Sequence, residues 1–196
     1  MDIFEYDYEF NIALLGKTGS GKASLIYRFT ENTFETFRLS YSLGVLCKRK
    51  KLYIENNIIK CQFFVTASSQ HFKFIPKGQY AKYDGLIIVY DISDRNSFDE
   101  ALHWIKEIEL NAPNDINKII VGNKNDINER VVSEEEGKIL GDKFNIYFFE
   151  TSAKTGYNAN EAFEFLIQDI YEKNKKYEKA EYKLVNKKDK SNKYIK

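Results

Sequence analysis

The stretch NIALLGKTGSGK, residues 11–22, decides the fold of this chain. Four apolar residues lead into a loop that carries Gly16, Gly19 and Gly21 and ends at Lys22. A strand, a glycine-rich loop and a helix in that order form the context of the phosphate-binding pattern G-x-x-x-x-G-K-[ST], and the loop fits its first seven positions. Such glycines let backbone amides turn toward a phosphate chain, which the lysine and the positive end of the next helix also attract. The sequence thus predicts a phosphate site, with a glycine-rich turn that binds no ligand as the alternative.

The start of the helix after this loop departs from the pattern. Ala23 occupies the eighth position, where the pattern needs a hydroxyl to coordinate Mg²⁺. Ser24 follows, but one step along a helix turns a side chain by about 100°, so we expect Ser24 to face the core instead of a metal. The residues predicted to surround the phosphate chain are Thr18, Gly19, Ser20, Gly21, Lys22, Ala23 and Ser24.

Short apolar runs alternate along the chain with amphipathic stretches, which is the pattern of a parallel sheet flanked by helices. The polar turn over residues 55–57 indicates that the second and third strands form an antiparallel hairpin at one sheet edge. The predicted fold is α/β, a six-stranded, mostly parallel sheet with one antiparallel edge strand and helices on both faces. Asp94 and Ser133 are the expected caps of two helices. The strands are predicted over residues 10–15, 45–54, 58–65, 86–91, 118–122 and 146–150, and the helices over 22–29, 97–110, 134–144 and 160–175.

The charges of the chain are nearly balanced, with 30 basic and 29 acidic side chains and a net charge of +1. No overall field therefore favours a nucleic acid or a membrane as partner. Cys47 and Cys61 lack metal-ligand spacing, and the acidic start of the chain lacks the features of a secretory leader, so we expect a cytoplasmic protein. Residues 1–175 are predicted to form one domain, and the lysine-rich residues 176–196 a flexible tail or linker.

Two further polar motifs follow predicted strands. The motif NKND, residues 123–126, comes after the strand over residues 118–122, and ETSAK, residues 150–154, comes at the end of the next strand. The carboxyl ends of parallel strands meet at one edge of an α/β sheet, where ligands bind. Each motif alone is a weak signal, because Asn and Asp are ordinary turn residues. The three loops in this order predict one shared crevice.

With these motifs the chain resembles the Rab type of small GTPase in the Ras family. The segments RFTENTF, LIIVYDISDRNSF, IIVGNKND and ETSAK carry the resemblance, which runs from about Phe10 to Glu172. The resemblance implies the G-domain fold of the P-loop NTPases, binding of GDP or GTP, and a role in vesicle trafficking. A P-loop kinase or ATPase is the remote alternative, and such a protein would prefer ATP.

The resemblance also assigns roles around the base. Asp126 would accept hydrogen bonds from N1 and N2 of guanine, donors that adenine lacks, so guanine is preferred. Lys124 would lie over the base plane, and Asn123 would brace the loops. Phe34 would pack edgewise on the base, unless it is a core phenylalanine. Loop support and a backbone amide for the guanine oxygen would come from Ser152, Ala153 and Lys154.

The catalytic half of the family pattern is altered. In the family the third strand ends with the motif DTAGQ. Its Asp holds Mg²⁺ through water, its Gly senses the terminal phosphate, and its Gln orients the attacking water. The aligned residues here are VTASS, residues 65–69, so Ser69 replaces the Gln and no catalytic residue is predicted. Gln70 lies one place later in the chain and is the alternative candidate for the role of this Gln. Ser42 keeps a hydroxyl in the first switch and is the one candidate metal ligand.

These substitutions have two interpretations. Ala23 is a good helix former and Val65 extends an apolar strand, so each replacement alone is consistent with drift. Together they remove both usual protein ligands of Mg²⁺. We therefore expect a pseudoGTPase, which binds guanine nucleotide with weak or absent dependence on Mg²⁺ and hydrolyses GTP very slowly or not at all. The alternative is a slow GTPase whose metal is held by the phosphates, Ser42 and water.

The family also presents three aromatic side chains near its switches to effector proteins. The matching positions here are Cys47, Phe64 and Tyr80, and either aromatic can instead serve the core. Rab proteins end in prenylated cysteines, whereas no cysteine follows Cys61, so we expect no prenyl anchor in this chain. A further domain after residue 196, or association with endomembranes through partners, would then take its place.

Overall fold

The computed structural model describes residues 5–34, 46–65 and 75–192. The strands lie side by side in the order β2-β3-β1-β4-β5-β6. β2 runs antiparallel to β3, and the other neighbouring pairs are parallel, so the predicted six-stranded sheet is confirmed. In chain order the elements are β1 Tyr8–Leu15, α1 Lys22–Glu31, β2 Leu46–Ile54, β3 Asn57–Val65, α2 Lys77–Tyr80, β4 Gly85–Asp91, α3 Arg95–Asn111, β5 Asn117–Asn123, α4 Glu134–Phe144, β6 Tyr147–Glu150 and α5 Ala159–Asn192.

The central strand β1 delivers the glycine-rich loop to the functional edge of the sheet. Leu14 of β1 pairs with Val65 of β3 on one side and with Ile87 of β4 on the other. All residues of β4 are buried, as expected for a strand covered on both faces. Because β1, β4, β5 and β6 are parallel, the loops that follow them emerge at the same edge.

One face of the sheet packs against α1 and α5 through three aromatic rings. Phe29 of α1 stacks on Phe163 of α5 with ring centroids 4.5 Å apart. Phe63 of β3 meets both rings edge-on, at 5.5 and 5.4 Å. Aromatic pairs of this kind add about 0.5–1.5 kcal/mol each beyond the area that they bury. The cluster holds α1 against the sheet and so fixes the helix that begins at the glycine-rich loop.

The other face of the sheet packs against α3 and α4. Ala13 and Leu15 of β1 share a buried cluster with Trp104 and Ile105 of α3 and with Leu140 of α4. Residues next to each other on β1 thus point into different cores, which is the alternation that a pleated strand imposes. Helices on both faces, as predicted, are confirmed.

The last helix is longer than its sequence pattern suggested. We expected α5 to end at about Lys175, but it continues to Asn192. Its side chains still contact the domain past that point: Tyr177 donates to Asp115 at 2.7 Å, and Glu178 accepts from Tyr8 at 2.8 Å. The segment contains no Gly or Pro and is rich in Lys, which is a strong helix former. Among the described residues, no helix is long and apolar enough to cross a membrane.

Both expected caps are present, and one of them gives a stability prediction. Ser133 accepts from the backbone N–H of Glu136 at 3.2 Å, and the Glu136 carboxylate accepts from that of Ser133 at 2.9 Å. Ser133→Ala should lower the free energy of unfolding by about 1 kcal/mol, because the backbone N–H of Glu136 loses its acceptor. Urea denaturation checks this. Glu135→Ala, in the same turn, should cost no more than about 0.5 kcal/mol, and equal losses would contradict the capping role.

Candidate nucleotide-binding site

The glycines of the loop after β1 adopt conformations that other residues rarely reach. Gly16, Gly19 and Gly21 have φ angles of +127°, +89° and +94°. A Cβ on Gly16 would lie 2.0 Å from the carbonyl oxygen of Val89, and one on Gly21 would lie 2.2 Å from Nδ2 of Asn123. Larger residues would therefore be excluded by sterics as well as by backbone strain. The loop is built for close approach to its neighbours.

Lys22 is a buried cation within this loop, with its side chain at the start of α1. Its Nζ donates to the carbonyl oxygens of Gly16 at 2.6 Å and Lys17 at 2.8 Å. Burial lowers the pKa of Lys22 from its ordinary 10.5 to about 8. A desolvated ammonium favours an anion close by. The neighbouring Lys17 is directed elsewhere, since its Nζ lies 2.6 Å from Oδ2 of Asp94 at the cap of α3.

The other residues predicted for the phosphate chain divide into exposed and packed positions. Thr18 and Gly19 are exposed, whereas Ser20 is buried and its carbonyl oxygen accepts from Asn123 at 2.9 Å. Ala23 is partly buried against the core that contains α5. Ser24 lines the cavity beside the loop. Our expectation that Ser24 faces the core was wrong: at the first turn of α1 it is Ala23 that packs inward and Ser24 that points to the cavity.

A cavity of about 520 Å³ lies between the glycine-rich loop and the loops after β5 and β6. Phe34 is 36% exposed at this cavity, so it is not a core phenylalanine. Ile127 contributes an apolar wall that the sequence did not suggest. The residues that line the cavity are Gly19, Gly21, Ser24, Phe34, Asn123, Lys124, Asp126, Ile127, Ala153 and Lys154. The residues predicted from three separate motifs are therefore brought together.

Asp126 places a carboxylate at this cavity. Its side chain is 13% exposed, and its Oδ1 accepts a hydrogen bond from the hydroxyl of Ser152 at 2.6 Å. Nζ of Lys154 lies 3.6 Å from Oδ2. Ser152 thereby fixes the orientation of the carboxylate, and the largely exposed Lys154 offsets its charge. A ligand with two adjacent N–H donors would match such a group.

Asn123 joins the three loops. Its Nδ2 donates to the carbonyl oxygen of Ser20, while its Oδ1 accepts from the backbone N–H of Ala153 and the hydroxyl of Thr151, both at 3.2 Å. The bracing contacts that we predicted for Asn123 are thus present. Lys124 has a positive φ of +71°, and its Nζ donates to Oδ2 of Asp91 at 2.5 Å. Its stem lines the cavity while its ammonium is held at the end of β4.

A second brace, which sequence reasoning missed, lies behind the cavity. Glu150 is buried, and its Oε2 accepts from Nη2 of Arg130 at 2.8 Å and from Nδ2 of Asn125 at 2.7 Å. These bonds tie the loop after β5 to the end of β6. The position of Glu150 at a strand end was visible in the sequence, but nothing marked Arg130 as its partner.

Among the residues that the structure describes, the two positions where the family pattern has Mg²⁺ ligands carry side chains without oxygen. Ala23 has no oxygen in its side chain, and Val65 ends β3 as a buried apolar residue. The described segments contain no cluster of three His, Cys, Asp or Glu side chains that could hold a metal. Ser42, Ser69 and Gln70 lie outside the described residues.

The predicted effector positions do not all lie on the surface. Cys47 is exposed, and Phe64 is half-buried with its ring 5.9 Å from that of Tyr83. Tyr80 is fully buried in the core beneath α3, with Ile75 and Leu86 in the same cluster. The prediction that Tyr80 faces a partner was therefore wrong. The short helix α2, which the sequence did not predict, turns this ring inward.

The sheet order, the phosphate loop and the cavity define a small GTP-binding protein, and the model of the Ras family matches residues 11–172. Ras-related protein Rab-8B of Homo sapiens is 40% identical over 86% of this chain and 81% of its own length. Rab-8 of Diplobatis ommata is 41% identical over 87% of this chain and 82% of its own length. RABE1e of Arabidopsis thaliana is 38% identical over 85% of this chain and 77% of its own length. The chain belongs to the Ras family. Within that family it is of the Rab type.

Proposed function

We propose that this protein is a guanine-nucleotide-binding regulator of vesicle trafficking that depends weakly on Mg²⁺ and hydrolyses GTP very slowly or not at all. The observation that carries the proposal is the contrast between the two halves of one site. The base half is complete, with Asp126 oriented by Ser152 at the cavity. The metal half carries Ala23 and Val65 where the family has ligands.

Nucleotide affinity would come from the base contacts, the loop amides and Lys22. The positive end of α1 attracts an anion without any metal, and the buried Lys22 adds a full charge. Thr18, Ser20, Ser24 and Phe34 would complete the contacts with phosphate and nucleoside. Because the groups that sense the terminal phosphate are the replaced ones, we expect nearly equal affinities for GDP and GTP.

Hydrolysis would be poor because two parts of the mechanism are replaced together. Ordinary unaided members of the wider family turn over at only ~10⁻⁴ s⁻¹ with the metal and the Gln in place. Here Ser69 stands at the position of that Gln, and the metal lacks both usual ligands. Each tenfold loss of rate adds ~1.4 kcal/mol to the barrier.

The experiment that tests the proposal begins with the nucleotide released when the purified protein is denatured, which should be GDP or GTP. The affinity for a labelled GDP should then change by less than about threefold between EDTA and millimolar Mg²⁺, because both usual protein ligands that couple the metal to the fold are replaced. Ala23→Ser restores one hydroxyl and should increase the gain from Mg²⁺. A loss of affinity in EDTA larger than about a hundredfold in the unmodified protein would rule out weak metal dependence.

The slow GTPase remains the second candidate, and the placement of Ser24 favours it, since a hydroxyl does line the cavity. Its metal would be held by phosphates, Ser42 and water. Single-turnover hydrolysis of bound GTP separates the two: a Mg²⁺-dependent rate near ~10⁻⁴ s⁻¹ identifies the GTPase. A P-loop kinase or ATPase would instead bind ATP in preference to GTP, which the carboxylate of Asp126 opposes.

Partners would engage the surface around β2 and β3, where Cys47 and Phe64 lie. With Tyr80 in the core, this surface keeps one of the two aromatic side chains that were predicted for it. Peripheral association with endomembranes would come from such protein partners. We retain residues 1–175 as the nucleotide-binding domain, and the lysine-rich tail or linker proposed for residues 176–196 begins as a continuation of α5.

A further inference from the structure

Arg28, in the last turn of α1, connects two segments that border the base cavity. Its Nε donates to the carbonyl oxygen of Ala153 at 2.8 Å, and its Nη2 donates to that of Lys154 at 2.9 Å. Its Nη1 donates to the backbone and side-chain oxygens of Asn32, each at 3.1 Å. A single planar guanidinium therefore holds four oxygens from two parts of the chain.

The contacts with the loop after β6 determine which side of that loop faces the cavity. The carbonyl oxygens of Ala153 and Lys154 are turned toward α1 by the guanidinium. The backbone N–H of Ala153 donates to Oδ1 of Asn123, and Asn123 lines the cavity. Gly156, with a φ of +87°, completes the turn, and a Cβ there would lie 3.7 Å from Cδ of Arg28. The loop thus folds around the arginine stem.

The contact with Asn32 holds the end of α1, from which the chain leads to Phe34. Asn32 ends α1 in the left-handed conformation, with a φ of +52°. Phe34, two residues later, lines the cavity. Both oxygens of Asn32 are tied to the same guanidinium that holds the loop after β6. The aromatic side of the cavity and its amide side are therefore positioned by one side chain.

We propose that Arg28 is a positioning residue for guanine recognition: it sets the loop of Ala153 and Lys154 so that a backbone amide of this loop can meet the guanine oxygen, and it sets the segment that leads to Phe34. The inference rests on the proposed guanine-nucleotide binding. Arg28 itself does not line the cavity and acts through these two neighbours. A lysine cannot replace it, because an ammonium is a point charge that does not span two carbonyls and Asn32 together.

The test compares GDP with 6-thio-GDP, which keeps both N–H donors for Asp126 but carries sulfur, a weaker acceptor, in place of the guanine oxygen. Arg28→Met keeps the length of the stem and removes the donors. We expect about tenfold weaker binding of GDP and less than about threefold weaker binding of 6-thio-GDP, so that the preference for oxygen collapses. Arg49→Met is the matched control, since Arg49 bonds to Gln62 on the β2–β3 hairpin and should leave both affinities unchanged.

The possible outcomes distinguish a failure of the role of Arg28 from a failure of the proposed guanine-nucleotide binding. If the unmodified protein binds GDP and Arg28→Met weakens both ligands equally, or neither, Arg28 does not position the amide and the inference fails alone. If the unmodified protein does not bind GDP, the proposed function fails and the inference fails with it. Should Arg28→Met not fold, Arg28→Lys retains stem and charge, and the same loss of preference for GDP over 6-thio-GDP is expected from it.

Discussion

Asp126→Asn should weaken the binding of GDP by roughly 10³-fold and raise the affinity for xanthosine diphosphate. The carboxylate lies at the cavity with its orientation fixed by the hydroxyl of Ser152 at 2.6 Å. It accepts from both N1 and N2 of guanine in the proposed complex. The amide of the variant accepts only one of these bonds and turns an N–H donor toward the other. One bond is lost to two donors that face each other, and the other bond is no longer charge-assisted.

Xanthine reverses this mismatch because it carries a carbonyl where guanine has its amino group. The amide of the variant then donates to that carbonyl and accepts from N1. Competition of GDP and xanthosine diphosphate against one labelled nucleotide measures the exchange of preference. Asp115→Asn is the control, because Asp115 pairs with Lys173 on the opposite side of the domain and should leave both affinities unchanged. Unaltered GDP binding by Asp126→Asn would show that this carboxylate does not contact the base.

The sequence predicted the elements that depend on local pattern. Apolar runs placed the strands to within about two residues, because the interior of a covered parallel sheet admits few polar side chains. Ser133 and Asp94 were identifiable as caps because capping is a contact between near neighbours in the chain. The same holds for the phosphate loop, whose function rests on the glycines within it. These features are encoded over spans of ten residues or fewer.

The missed features depend on contacts between distant residues. Arg28 bonds to Ala153, which is 125 positions away in the chain, and Arg130 bonds to Glu150, which is 20 positions away. Local sequence patterns of the length of one helix or strand therefore contain neither pair. The helical extension after Lys175 was missed because its lysines form no apolar face. Its contacts are instead made with Tyr8 and Asp115, which are distant from it in the chain.

Tyr80 shows a different reason for error. Its position in the family pattern suggested a surface aromatic, but a tyrosine suits an interior as well as an interface. The backbone of α2 decides between the two, and that helix has only four residues. A pattern of 3.6 residues cannot be recognised over a single turn.

Lys22→Met should weaken GDP binding by about a hundredfold, because the buried ammonium is the one full charge that the phosphate loop itself supplies to the site. The methionine keeps the length and apolar stem of the side chain. Equilibrium titration with labelled GDP measures the loss. Lys17→Met is the matched control: its ammonium is paired with Asp94, so the affinity should fall by less than about threefold.

The same lysine should make nucleotide binding depend on pH. Burial lowers its pKa from 10.5 to about 8 in the ligand-free protein, and a bound phosphate would raise it again. If only the protonated form binds, affinity for GDP is nearly constant below about pH 7, about twofold weaker at pH 8 and about tenfold weaker at pH 9. The stability of the ligand-free protein has the opposite slope. Between pH 8 and 10.5 the unfolded chain binds the proton that the folded chain has lost, so this group adds stability as the pH rises.

Lys22→Met should abolish both dependences, which distinguishes Lys22 from the other lysines that titrate in this range. GDP affinity measured from pH 7 to 9 gives the first slope, and urea denaturation of nucleotide-free protein over pH 8 to 10.5 gives the second. An affinity that stays constant to pH 9 in the unmodified protein would mean that Lys22 keeps its proton without the phosphate. The two carbonyl oxygens at 2.6 and 2.8 Å would then suffice to offset its burial.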